Sequence, residues 1–151
     1  MSSPYRPTST KTFAMTFDPS QFTPTKWETA KDKAAFANRF VRFVQSDFAA
    51  KHFTEKFYRR LSNTFGLIAH YNRGGFWETF FTSTADKVRF LEIAIRWSWG
   101  SDPAWTYGDV ERVLREWLQA DGTLERYRQR LAAETEAAER AQLARLQAKY
   151  G

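Results

Sequence analysis

Apolar residues recur along this chain at helical spacing, interrupted by short polar stretches that mark the ends of elements. Between about Trp27 and Asp47, Phe36, Phe40, Phe43 and Val44 fall at i, i+4, i+7 and i+8, while Lys31, Asn38, Arg39, Arg42 and Ser46 project from the other side. That spacing predicts an amphipathic helix with a basic outer face. A second helical pattern starts near Phe53, with Phe57, Leu61, Phe65 and Ile68 following in steps of four, four and three. It runs to about Asn72, where Arg73-Gly74-Gly75 is expected to break it, and Gly66 inside it marks a place for an earlier break.

The aromatic stretch 76–82 predicts a helical turn or two. Ser83 or Thr84 then caps a helix through about Trp97, with Asp86 in its first turn. Val88, Leu91 and Ile95 occupy one side of that helix and Phe90, Ile93 and Trp97 the other, as expected for the central helix of a core. Thr106 and Asp109 have the spacing of a capping box and open a helix with Val110, Val113, Leu114, Trp117 and Leu118 inward. After the Asp121-Gly122-Thr123 turn no Gly or Pro occurs up to Lys149, which predicts one long helix. Leu124, Tyr127 and Leu131 let its first half pack. From Ala132 to Ala141 no large apolar residue occurs, so its second half is expected to project or to meet a partner through Leu143, Leu146 and Tyr150.

Residues 1–25 break the helical rhythm. They hold four of the five prolines and ten Ser or Thr, and Phe13, Met15 and Phe17 alternate with Thr12, Ala14 and Thr16 as in an extended segment. Such apolar side chains are costly to leave in water, so the second half of this arm is expected to dock. The reading is an all-α fold: a compact bundle of about five helices over residues 26–122, an extended N-terminal arm over 1–25, and a long charged C-terminal helix over 123–151.

Composition sharpens this picture in three ways. Aromatic residues make up 17% of the 151 residues, with 14 Phe, 6 Trp and 6 Tyr, so rings supply much of the core and leave some for an interface. No cysteine is present, which excludes disulfides, thiolate metal sites and a cysteine nucleophile. No apolar run approaches the roughly 18 residues of a membrane span, and the N-terminus lacks an apolar signal region, so a cytoplasmic protein without membrane partners is expected.

The formal net charge of +6 is unevenly spread. Residues 26–66 carry nine Lys or Arg against four Asp or Glu, a local excess of +5, whereas residues 101–122 carry −3. This asymmetry favours a polyanionic or acidic partner, the blander reading being a solvated basic surface. Along the second helix, Arg59, Asn63, Gly66 and His70 fall within about 60° of one another, flanked by Lys56 and Arg73. Arg59 can fork onto a phosphate, Asn63 can donate and accept, and Gly66 lets a ligand backbone approach; equally, Gly66 can serve helix contact and His70 a satisfied seam. Aromatic residues interleave with these cations, but most lie at core-facing spacing, and only Tyr58 and Trp27 are expected to be free for stacking.

Chemistry-bearing motifs are otherwise missing. No phosphate-binding glycine loop, zinc-protease, serine-hydrolase or calcium-loop motif occurs, and His52 with Glu55 at i, i+3 falls short of the three or four ligands a metal needs. Neither catalysis, cofactor nor metal is expected. The expected function is non-enzymatic binding of nucleic acid or a nucleoprotein complex through phosphate contacts from Lys31, Arg39, Arg42, Lys56, Arg59, Arg60, Asn63, His70 and Arg73. The other expectation is a protein-protein adaptor or inhibitor of a larger machine, which would meet an acidic protein surface or a second copy of the chain through Trp77, Leu143, Leu146 and Tyr150.

Overall fold

A computed structural model describes residues 16–65, 72–96 and 102–151. It is all-helical, with six α-helices and no strand among the described residues: α1 (Ala30–Gln45), α2 (Glu55–Phe65), α3 (Arg73–Phe80), α4 (Thr84–Arg96), α5 (Gly108–Asp121) and α6 (Thr123–Tyr150). A short 3-10 turn at Pro19–Gln21 precedes α1, and another at Ala50–His52 lies between α1 and α2. The chain forms two compact units, one from residues up to Arg73 together with Ser98–Leu114, the other from Gly74–Trp97 and Arg115–Gly151.

The first unit is organised by α1. Helix formation starts at Ala30 rather than Trp27 because Thr29 and Asp32 close a capping box: the Thr29 hydroxyl accepts from the Asp32 amide at 3.0 Å, and the Asp32 carboxylate accepts from the Thr29 amide at 3.1 Å. Phe36, Phe40, Phe43 and Val44 are buried as their spacing predicts. Their rings meet α2, with Phe36–Phe57 at 5.5 Å, Phe43–Phe57 at 5.1 Å and Phe40–Phe65 at 5.6 Å between centroids. Each such pair adds about 0.5–1.5 kcal/mol to the area it buries.

The C-terminal end of α1 turns through two left-handed residues, Asp47 (φ 61°) and Phe48 (φ 57°). The amide of Phe48 donates to the Phe43 carbonyl at 2.8 Å and that of Asp47 to the Val44 carbonyl at 3.1 Å, the two bonds of a Schellman motif without its usual glycine. Burial of Phe48 edge-on against Phe43, 5.1 Å away, offsets the backbone strain.

Asn38 departs from the expected polar face. It is buried, and its amide both accepts from the Phe17 N–H and donates to the Phe17 carbonyl at 2.9 Å. The described end of the arm thus docks on α1 through a two-bond clasp, with Phe17 and Phe22 buried edge-to-face at 6.3 Å. Phe13 and Met15 lie outside the described residues.

In the second unit, Gly74 and Gly75 lie inside α3 instead of forming a turn. Helical backbone suits glycine sterically, and Phe76, Phe80, Phe81 and Phe90 supply the packing that outweighs its poor propensity, with Phe81–Phe90 at 5.0 Å and Phe76–Phe80 at 4.9 Å. The Ser83 hydroxyl accepts from the Asp86 amide at 3.1 Å and so caps α4. Val88, Phe90, Leu91 and Ala94 are buried there, while Ile93 and Ile95 are half-buried.

Helix α6 leans on α4 through its first half only. Tyr127 is buried, Arg128 pairs with Glu92 at 2.9 Å, and Glu134 accepts from the Thr84 hydroxyl at 3.0 Å. Every residue from Ala132 onward is exposed. No described helix is long and apolar enough to cross a membrane.

Candidate functional site

Two neighbouring recesses in the first unit share Glu28, Arg60 and Tyr107. One, of about 220 Å³, is lined by Arg39 and Asp32 from α1 and by Lys56 and Arg60 from α2. The other, of about 330 Å³, has Trp27, Trp105 and Asn63 on its walls. A basic recess therefore adjoins an aromatic one.

The shared wall is a polar cluster built for rigidity. Glu28 accepts from the Tyr107 hydroxyl and pairs with the Arg60 guanidinium, which stacks on the Tyr107 ring at 4.2 Å. Burial raises the Glu28 pKa above its ordinary value, and the nearby Asp32 charge adds to this; the attraction of Lys33 and Lys56 does not cancel it. Burial lowers the Arg60 pKa, although a guanidinium stays charged across the physiological range. Asp32, capping α1, is held below its ordinary value by the hydrogen bonds from Thr29.

Behind this wall lies a fully buried lysine. The Lys33 ammonium donates to the Pro103 carbonyl at 2.9 Å, to the Thr106 carbonyl at 2.8 Å and to Asp109 at 3.0 Å. The other Asp109 oxygen accepts from the Thr23 amide at 2.9 Å. Asp109 is thus committed to tertiary contacts, and the capping box expected from Thr106 does not form. The Thr106 hydroxyl accepts from the Gly108 amide at 3.1 Å instead.

These contacts hold two turns, each presenting a tryptophan. In the first, the Thr25 hydroxyl accepts from the amides of Trp27 at 3.1 Å and Glu28 at 2.9 Å. In the second, the Asp102 carbonyl accepts from the amides of Trp105 at 3.0 Å and Thr106 at 3.1 Å, while Lys33 grips the carbonyls on either side of Trp105. Trp27 and Trp105 are 69% and 60% exposed, with centroids 6.1 Å apart and planes tilted by 58°. Leaving roughly 150 Å² of each ring in water forgoes on the order of 3 kcal/mol apiece, a large sacrifice for a chain that buries most of its other rings.

The residues singled out in the sequence distribute unevenly around this arrangement. Arg39, Lys56, Arg60 and Asn63 line the two recesses, whereas Arg59 is 75% exposed and pairs with Glu55 at 3.0 Å. Arg73 approaches the same Glu55 at 3.7 Å, so that carboxylate is engaged with arginines. Lys31 is exposed and Arg42 half-buried. Gly66 and His70 lie outside the described residues; of the expected line Asn63 lines the aromatic recess and the flanking Lys56 the basic one, while Arg60 rather than Arg59 stands between them. Tyr58 is buried against Phe53 and is not available for stacking, while Trp27 is. Trp77 is half-buried against Phe81 at 5.4 Å, and Leu143, Leu146 and Tyr150 are exposed on α6. His52 sits in the 3-10 turn, its pKa lowered by burial and then by Lys51, Arg42 and Arg39. No group of three or more metal-ligating side chains occurs among the described residues.

Trp105, Glu28, Tyr107 and Lys33 were not among the expected site residues. Lys33 had a signal: it precedes Phe36 and Phe40 by three and seven residues, which places it on the apolar face of α1. Trp105 had one too, since a tryptophan following Asp102-Pro103 in a turn has no helical face on which to hide. No protein-family model, curated protein or solved structure matches this chain, so its function is read from the paired basic and aromatic recesses themselves.

Proposed function

We propose that the first unit is a nucleic-acid-binding module that holds phosphates with the exposed cations of α1 and α2. The observation that carries this reading is the convergence of Arg39 and Lys56, from two different helices, on one recess. A solvated charge face needs no such convergence, whereas a phosphate held between two cations does. Lys31 and Lys51, exposed on the same unit, extend the basic surface, with Arg42 half-buried in the last turn of α1. Arg60 has a different part: committed to Glu28 and Tyr107, it shapes the wall between the recesses. The module is non-enzymatic in this reading and works in the cytoplasm without a cofactor.

The test is fluorescence anisotropy with labelled oligonucleotides at about 50 mM salt, comparing the wild type with the double variant Arg39→Glu/Lys56→Glu. Reversing two phosphate-binding charges is expected to weaken binding by well over tenfold, with the helical circular dichroism unchanged. Equal affinity of the two proteins overturns the reading.

A second reading applies to the other unit. The exposed Leu143, Leu146 and Tyr150 lie on the half of α6 that no described element covers, which supports a protein partner or a second copy of the chain there. Removing residues 135–151 is expected to abolish self-association or partner capture, measured by light scattering, and to leave oligonucleotide affinity intact. An unchanged assembly state and unchanged partner capture would make this half of α6 a solvated extension.

A further inference from the structure

We infer that the aromatic recess is a stacking site for an unpaired nucleobase, so that the ligand is single-stranded nucleic acid rather than duplex. The inference rests on the phosphate-binding reading above and specifies what form of nucleic acid satisfies it.

Two adjoining recesses impose two chemical demands on one ligand. In the first, Glu28 is paired with Arg60, and Arg39 and Lys56 outweigh the remaining carboxylate of Asp32, so the recess takes a negative charge. The second, with Trp27 and Trp105 on its walls, takes a flat apolar face. An acidic peptide supplies the charge but no regular planar face, and duplex DNA hides its base faces inside the stack. A single strand offers a phosphate and an open π-face in every nucleotide.

The geometry also says how the base lies. At 6.1 Å between centroids and tilted by 58°, the two indoles already touch, so a base stacks on an outer face of the pair and is not sandwiched between them. Asn63 is exposed on the wall of the same recess, where its amide can donate to and accept from a base edge. Both tryptophan turns are pre-organised: the Thr25 hydroxyl fixes one and the Asp102 and Lys33 bonds fix the other, so little ordering remains to be done on binding.

The sugar and the base are not distinguished by this chemistry, so DNA and RNA strands are both candidates and the experiment carries both. Anisotropy is measured with a labelled 12-nucleotide oligo-dT, its oligo-U counterpart, a 12-base-pair duplex, and a 12-unit abasic strand that has the phosphates without the bases. The proteins are the wild type, Trp27→Ala, Trp105→Ala and the rescuing Trp27→Phe. The wild type is expected to prefer at least one single strand over the duplex and over the abasic strand. Each alanine variant is expected to lose roughly 5- to 150-fold for that strand, the range typical for removal of one base-stacking ring. Duplex and abasic affinities should be unchanged, and the phenylalanine variant should keep most of the single-strand affinity. The comparison of single strand with abasic strand in the wild type needs no variant, so it decides the matter even if an alanine variant fails to fold.

Equal wild-type affinity for single, duplex and abasic forms overturns the stacking inference and leaves the phosphate reading standing. So does an unchanged single-strand affinity in both alanine variants. Failure of the wild type to bind any of the four at low salt overturns the phosphate reading itself.

Discussion

Lys33→Met is the perturbation that bears most directly on how the fold presents the aromatic recess. Methionine keeps the length and most of the volume of the side chain but removes the ammonium, and with it the three hydrogen bonds of 2.8–3.0 Å to Pro103, Thr106 and Asp109. Two carbonyls lose a partner, and the Asp109 carboxylate, itself almost fully buried, loses its counter-charge while keeping the Thr23 and Val110 amides. Breaking one side of a buried ion pair typically costs about 3–5 kcal/mol. Against a total stability of roughly 5–15 kcal/mol that is a large fraction, and with a urea slope of about 2 kcal/mol/M it lowers the midpoint by roughly 1.5–2.5 M. Urea unfolding followed by circular dichroism measures it. The double variant Lys33→Met/Asp109→Leu should recover part of the loss, because neither charge is then stranded, giving a coupling of about 1–3 kcal/mol. A midpoint shift under about 0.5 M for the single variant would refute the view that this lysine clamps the Trp105 turn to α1.

Three further outcomes follow from particular contacts. The Ser62 hydroxyl is buried with no partner among the described residues, so Ser62→Ala should leave stability unchanged or raise it by up to about 1 kcal/mol in thermal melts; a clear loss would reveal a partner. Asn38→Ala removes both halves of the clasp on Phe17 and should cost about 1–3 kcal/mol and speed proteolytic cleavage within residues 16–25; unaltered cleavage would mean that this segment is held otherwise. Glu28 binds its proton more tightly folded than unfolded, so its contribution to stability is full below pH 4.5 and is lost as pH rises through the raised folded value. Wild type should therefore lose stability relative to Glu28→Gln as pH climbs from about 4 to 7, in urea midpoints measured for both proteins, and the opposite trend would contradict the dominance of burial at this carboxyl.

Periodicity carried the helical faces well wherever burial of one stripe decides the outcome, as at Phe36, Phe40 and Phe43, or at Tyr127 on α6. It failed where a polar side chain does tertiary work. The helical pattern places Asn38 outward, where amides prefer water, but a two-bond clasp on backbone satisfies it inside. Asp109 has the spacing of a capping residue, yet Lys33 and Thr23, distant in sequence, claim its oxygens. The glycine pair at 74 and 75 signals an element boundary, and α3 does begin at Arg73, but aromatic packing in the second unit keeps both glycines within its first turn. On α2, Lys56 and Asn63 of the expected set line the recesses, and Arg60 stands there in place of Arg59, because Glu55 pairs with Arg59 while Glu28 and Tyr107 hold Arg60. Trp105 belongs to a turn, and only tertiary structure brings a turn residue beside Trp27.

The salt dependence of binding tests the central claim most directly. If Lys31, Arg39, Arg42, Lys51 and Lys56 contact phosphates, about five counterions are displaced, and the log–log plot of affinity for a single strand against salt should have a slope of about −3 to −4. Anisotropy titrations of the wild type between about 25 and 200 mM salt measure that slope. A steep negative slope of this size is the predicted result; a slope near zero would contradict the account, since phosphate contacts would then contribute nothing to the affinity.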